Sequence, residues 1–226
     1  GLVLCERGQR RDFGPRGRVD HGRQALGRGR GRLRRGGGRG GWGGNASGGY
    51  GQTYGVSNTP LHAGSGGGSD ANLGHGGRGG GLIRLEVVQF VAMHGVLNAD
   101  GVSGGNGSFY ARCGSGGSGG GIFVQCNDFQ GNSNAVITAR GGSRIDTGRG
   151  GGGGRIAIAI GLTGAERANL LAGNPVPKMQ TLAAFSRFAG ATSVAGGTNS
   201  SGASGADGTC LWLWVDNPKG TIFIVR

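Results

Sequence analysis

Residues Gly79 to Gly141 carry the same phrase twice. The first copy runs Gly79-Gly80-Gly81-Leu82-Ile83-Arg84-Leu85 and closes on Val96-Leu97-Asn98-Ala99-Asp100-Gly101. The second runs Gly119-Gly120-Gly121-Ile122-Phe123-Val124-Gln125 and closes on Val136-Ile137-Thr138-Ala139-Arg140-Gly141. Leu82 to Ile122, Val96 to Val136 and Gly101 to Gly141 are each 40 positions apart, so the register holds without a gap. Self-similarity at a fixed period marks a repeat architecture, in which each unit buries its apolar face by stacking on the next. The spacing predicts Leu82 over Ile122 and Val96 over Val136, on parallel strands.

A third glycine run, Gly150 to Gly154, leads into Arg155-Ile156-Ala157-Ile158-Ala159-Ile160. Apolar and β-branched runs predict strands over 82–91, 96–99, 122–126, 135–139, 155–160, 209–215 and 221–225. The last two are joined by a turn at Asp216-Asn217-Pro218-Lys219-Gly220. Thr163, with Glu166 three residues on, has the spacing of a capping box and predicts a helix of about two turns within 162–172. Gly173, Pro175 and Pro177 close it. Residues 41–81 and 190–208 read as loops. Fifty-nine of the 226 residues are glycine, yet glycine does not fall at every third position and only five prolines occur, which excludes collagen. Glycine is therefore expected at turns and at stacked bends where a Cβ would not fit.

The net charge of +13 is concentrated at one end. Residues 1–40 hold twelve arginines against Glu6, Asp12 and Asp20, a surplus of +9 that leaves +4 for the rest. Residues 1–41 are expected to form a basic Arg/Gly-rich arm, disordered or loosely packed, and 42–226 a glycine-rich β-repeat domain. Nucleic acid could be held only through this arm, by phosphate attraction. Base-stacking aromatics are scarce there, with Phe13 and Trp42 alone at hand, so a solvated basic leader is favoured.

Cys5, Cys113, Cys126 and Cys210 show no CxxC spacing, and buried thiols are favoured over a Cys113–Cys126 bridge. His62, Asp70 and His75 are suitable metal-ligand types, but the glycines between them promise no rigid site; no metal or cofactor is expected. No stretch approaches the roughly 20 apolar residues of a membrane-spanning helix. The chain opens on Gly1, and Leu2-Val3-Leu4 is too short for a signal-peptide core, leaving a removed leader or a piece of a larger protein as the readings.

The repeat phrase, from Tyr50 to about Ile160, resembles the glycine-rich repeats of large bacterial surface and secreted proteins. The resemblance implies an all-β fold: a glycine-rich parallel β-helix, a solenoid-like stack with one short helix and a flexible basic N-terminal arm. It implies a structural or adhesive module, secreted or at the cell surface. Its partners would be a cell-surface glycan or neighbouring repeats of a larger protein.

Catalysis has fewer supports. Glu86, Asp100, Asp128 and Asp146 sit on or between repeat strands, where stacking could bring two carboxyls together as acid and base. With Arg84 and Arg140 nearby, that face would suit an acidic glycan. A polysaccharide hydrolase or lyase is therefore the alternative reading, and RNA binding through the arm a second one. Charges that solvate a strand face are the favoured account of these residues. No Gly-Lys-Ser/Thr follows a glycine run, so no nucleotide site is expected.

Overall fold

A computed structural model of the chain describes residues 51–69, 74–105, 114–144, 148–200 and 204–216. The basic arm, the 221–225 strand with its turn, Asp70, Cys113 and Asp146 lie outside the described residues.

The glycine runs among the described residues do not bend the chain. They form extended segments outside the sheets, hydrogen-bonded to one another through their backbones. Residues 114–120 show the pattern. Gly114, Gly117 and Gly120 donate to Gly105, Val102 and Ala99. Ser115 and Ser118 donate to Gly68 and Ser65, while Gly116 and Gly119 donate to Arg149 and Gly152. Every third N–H thus faces the same neighbour, the three-residue period of a polyproline-II-like chain. Ser115 and Gly117 also accept from Gly77 and Gly142, so this one segment is bonded to five others. A β-strand, with period two, has only two edges to offer.

That geometry explains why glycine is obligatory. A Cβ on Gly117 would lie 2.2 Å from the Arg78 carbonyl oxygen, and one on Gly120 would lie 1.8 Å from that of Gly81. Similar clashes occur at Gly77, Gly80, Gly116, Gly119, Gly151 and Gly154, with a backbone oxygen the nearest atom each time. By contrast, positive φ is confined among the described glycines to Gly55, Gly161 and Gly173. The residue is used mainly for close approach, and turns account for few of its places.

Ten strands and one helix complete the described structure: β1 (Leu82–Glu86), β2 (Phe90–Met93), β3 (Val96–Asn98), β4 (Gly121–Cys126), β5 (Asp128–Gly131), β6 (Val136–Thr138), β7 (Arg155–Ile160), α1 (Gly164–Leu171), β8 (Gln180–Leu182), β9 (Ala191–Ser193) and β10 (Thr209–Trp214). They make a five-stranded sheet in the order β1-β4-β7-β10-β8, a two-stranded sheet β2-β5 and a three-stranded sheet β3-β6-β9. Pairing is parallel except between β8 and β10.

The all-β parallel β-helix, a solenoid-like stack, expected from the repeat does not form. The sheets are small and separate, and the largest is mixed. The physical reason lies in the glycine runs, which were expected to turn a coil and instead pack side by side as straight segments. The expected 82–91 strand is also broken, into β1 and β2.

Register follows the echo only in part. Val96 pairs with Val136, 40 positions on, as the spacing predicts. Leu82 pairs with Gly121, so Ile83 and not Leu82 stands beside Ile122. A one-residue slip exchanges the faces of a strand. This register aligns half-buried Ile83 and Leu85 with buried Ile122 and Val124, all in one apolar cluster.

Two cores lie on opposite faces of β4, β7 and β10. One holds Ile122, Val124, Ile156, Ile158 and Trp212 against Phe129 and Ile137 of the smaller sheets. The other packs Phe123, Ala157, Ala159 and Leu213 against Leu162 and Leu170, the latter on α1. Burial on both faces explains the unbroken apolar runs of these strands. The helix starts where the Thr163/Glu166 spacing placed it: Thr163 Oγ1 accepts from Glu166 N at 3.3 Å, and Glu166 Oε2 accepts from Thr163 N at 2.8 Å.

Candidate functional site

Strands β4, β7 and β10 are linked by parallel pairing and end together. The carboxyl ends of parallel strands are where open sheets present ligand sites. Here β4 runs out into Asn127 and Asp128, β7 into Gly161, Leu162 and Thr163, and β10 into Val215 and Asp216. With Phe185, Ser186 and Arg187, between β8 and β9, they enclose a cavity of about 650 Å³. Gly161 makes the exit of β7 feasible, because its φ is +79° and a Cβ would lie 2.5 Å from the Val215 carbonyl oxygen. Its N–H donates to Cys126 at 3.1 Å, tying the exits of β7 and β4 together.

The cavity has two kinds of wall. Ile160, Leu162, Phe185, Trp214 and Val215 are apolar, and Asn127, Asp128, Ser186, Arg187 and Asp216 are polar. Phe185 is stacked on Trp212, with ring centroids 5.6 Å apart and planes 17° apart. Trp212 in turn meets Phe129 edge-on at 5.6 Å, so the aromatic wall is backed by the core. Arg187 Nη1 donates to both carboxylate oxygens of Asp128 at 2.5 Å. Both side chains are about half exposed, so the pair adds little stability; its effect is to fix two polar groups at the rim.

Cys126 lies below Asp128 and is buried with a free thiol. Burial, with the Asp128 carboxylate adding to it, pushes the thiol up to about 12. Burial also raises Cys210, which is free as well. Both stay protonated near neutral pH and act as small apolar groups, not nucleophiles.

The residues singled out by sequence lie apart. Glu86 ends β1 and is ion-paired with Arg84, both partly exposed. Asp100, just past β3, accepts from Arg140 N at 2.6 Å and from Asn98 Nδ2 at 3.1 Å. It thereby staples the two ends of the echo. Arg140 contributes its backbone N–H to that contact, and no acidic-glycan face with Arg84 is assembled: β1 belongs to the five-stranded sheet and Asp100 follows β3 of the three-stranded one. Asp128 begins β5 and lines the cavity, whereas Glu86 lines a different hollow. The carboxylate that shares the cavity with Asp128 is Asp216. His62 and His75 are exposed, and among the described residues no group of three His, Cys, Asp or Glu could hold a metal.

Sequence reasoning did not single out Asn127, Phe185, Arg187 or Trp214. One available signal was the alternation Leu211-Trp212-Leu213-Trp214, which places both tryptophans on one face of β10. Comparison with protein-family models, curated proteins and solved structures finds no match to the chain.

Proposed function

We propose that the chain is a structural and adhesive module of a secreted or cell-surface bacterial protein, and that it holds a neutral glycan in the cavity beyond β4, β7 and β10. The observation behind this reading is the cavity's composition. Trp214 and Phe185 offer flat apolar surface beside Asn127, Asp128, Ser186 and Asp216. A sugar ring has the matching chemistry, with C–H faces that lie against aromatic rings and hydroxyls that bond to amides and carboxylates. The exposed Asp216 carboxylate and the Arg187-neutralised Asp128 disfavour an anionic sugar there. The glycine segments fit a structural role, since they are rigidly bonded and present little but backbone.

The test is a tryptophan-fluorescence titration of the full chain with cellohexaose and chitohexaose, and with oligogalacturonate as the acidic comparison. Saturable binding of a neutral oligosaccharide is expected, with no release of new reducing ends. Trp214→Ala should weaken binding about tenfold or more by removing the stacking surface, and the exposed Asn127→Ala by a few-fold with an unchanged melting curve. Binding of the acidic oligomer alone, or binding untouched by both substitutions, would rule the reading out.

A further inference from the structure

The geometry points to a homodimer in which β1 pairs antiparallel with β1 of a second copy about a two-fold axis. Among the described residues, strand β1 is the edge of the five-stranded sheet, and β2 and β3 likewise have one partner each. An unpaired edge of this kind is a template for another strand. Four of the six exposed large apolar side chains among the described residues belong to this stretch: Val88 is 73% exposed, Val96 64%, Phe90 44% and Leu82 38%. Residues 85–97 line a hollow of about 970 Å³ there.

Backbone parity narrows the pairing. Gly121 N donates to Gly81 O, and Val87 N donates to Gln125 O. Odd-numbered residues of β1 therefore direct their backbone groups at β4, and Leu82, Arg84 and Glu86 direct theirs outward. A two-fold antiparallel pair must then join even-numbered residues to even-numbered ones. Centring it on Arg84 sets Arg84 against Arg84, and centring it on Glu86 sets two carboxylates face to face. Like charges directly opposite are destabilising.

Centring on Leu85 places Arg84 opposite Glu86 twice, and Leu85 beside its own copy. The edge is then self-complementary, as a two-fold interface requires. The side chains of Leu82, Arg84 and Glu86 are exposed, while Ile83 and Leu85 are half-buried against the core, so the pairing continues the apolar face from one copy to the other.

The deciding experiment is sedimentation of the full chain over a concentration series, with Arg84→Glu, Glu86→Arg and their equimolar mixture. Wild type should dimerise. Each single variant should dimerise about tenfold or more weakly, because two attractive cross-strand pairs become repulsive. The mixture should form a one-to-one heterodimer, since the two acidic groups of one chain then face the two basic groups of the other. Both side chains are exposed, so circular dichroism should show the native fold throughout. A monomeric wild type, single variants that dimerise as tightly as wild type, or a mixture that stays monomeric would each overturn the inference.

Discussion

Gly120→Ala is expected to cost about 3 kcal/mol or more, at or beyond the upper end of the 1–3 kcal/mol range for overpacking. The added methyl would lie 1.8 Å from the Gly81 carbonyl oxygen and 2.7 Å from the Gly80 carbonyl carbon. Neither can retreat freely. Gly81 O already accepts from Gly121 N, and Gly80 is bonded to both Gly64 and Ser118. In an ordinary core a side chain would rotate aside; here the obstruction is backbone on every side. Domains of this size are stable by only about 5–15 kcal/mol, so such a loss is a large part of the total. Gly81→Ala and Gly95→Ala serve as controls, because a Cβ at either position meets nothing within 4 Å. Urea unfolding should place both within about 1 kcal/mol of wild type, or slightly above it through the reduced entropy of the unfolded chain.

Phe129→Ala should cost about 3–5 kcal/mol, the usual range for deleting a fully buried aromatic ring. Phe129, on β5, is fully buried. Its ring lies 5.6 Å from Trp212 and 5.9 Å from Phe188, so it joins β5 to the five-stranded sheet and to the segment before β9. Removing it also loosens the backing of the cavity's aromatic wall, since Trp212 carries Phe185. Thermal unfolding should show the loss directly. Phe129→Leu, which keeps most of the apolar volume, should recover more than half of it.

Much of the strand content was legible because β4, β7 and β10 are buried on both faces and read as unbroken apolar runs. The helix was legible from local chemistry, since a capping box has a fixed three-residue spacing. Strands β5, β8 and β9 were not, because Asp-Phe-Gln-Gly, Gln-Thr-Leu and Ala-Thr-Ser carry no period and owe their conformation to neighbours. The larger misreading concerned glycine. Close approach without room for a Cβ was expected, but at turns and bends, whereas the runs are extended segments bonded side by side, and both arrangements leave the same letters in the sequence. The expected parallel β-helix followed from that misreading. Of the cavity, Asp128 alone was singled out as a site residue. Asn127, Phe185, Arg187 and Trp214 come from stretches far apart in the chain, and only the shared ending of β4, β7 and β10 assembles them.

The central claim is that the glycine runs are ordered, hydrogen-bonded structure and not connecting loop. Native-state amide hydrogen exchange followed by NMR tests it most directly, because protection reports whether an N–H is bonded and how rarely it opens. The amides of Gly117, Gly120, Gly142, Gly151 and Gly154 donate to backbone carbonyls at 2.7 to 3.0 Å although none belongs to a strand. They should exchange as slowly as the amides of β4 and β7. Exchange of those five glycines at the rate of an unstructured chain, while the strands remain protected, would contradict it.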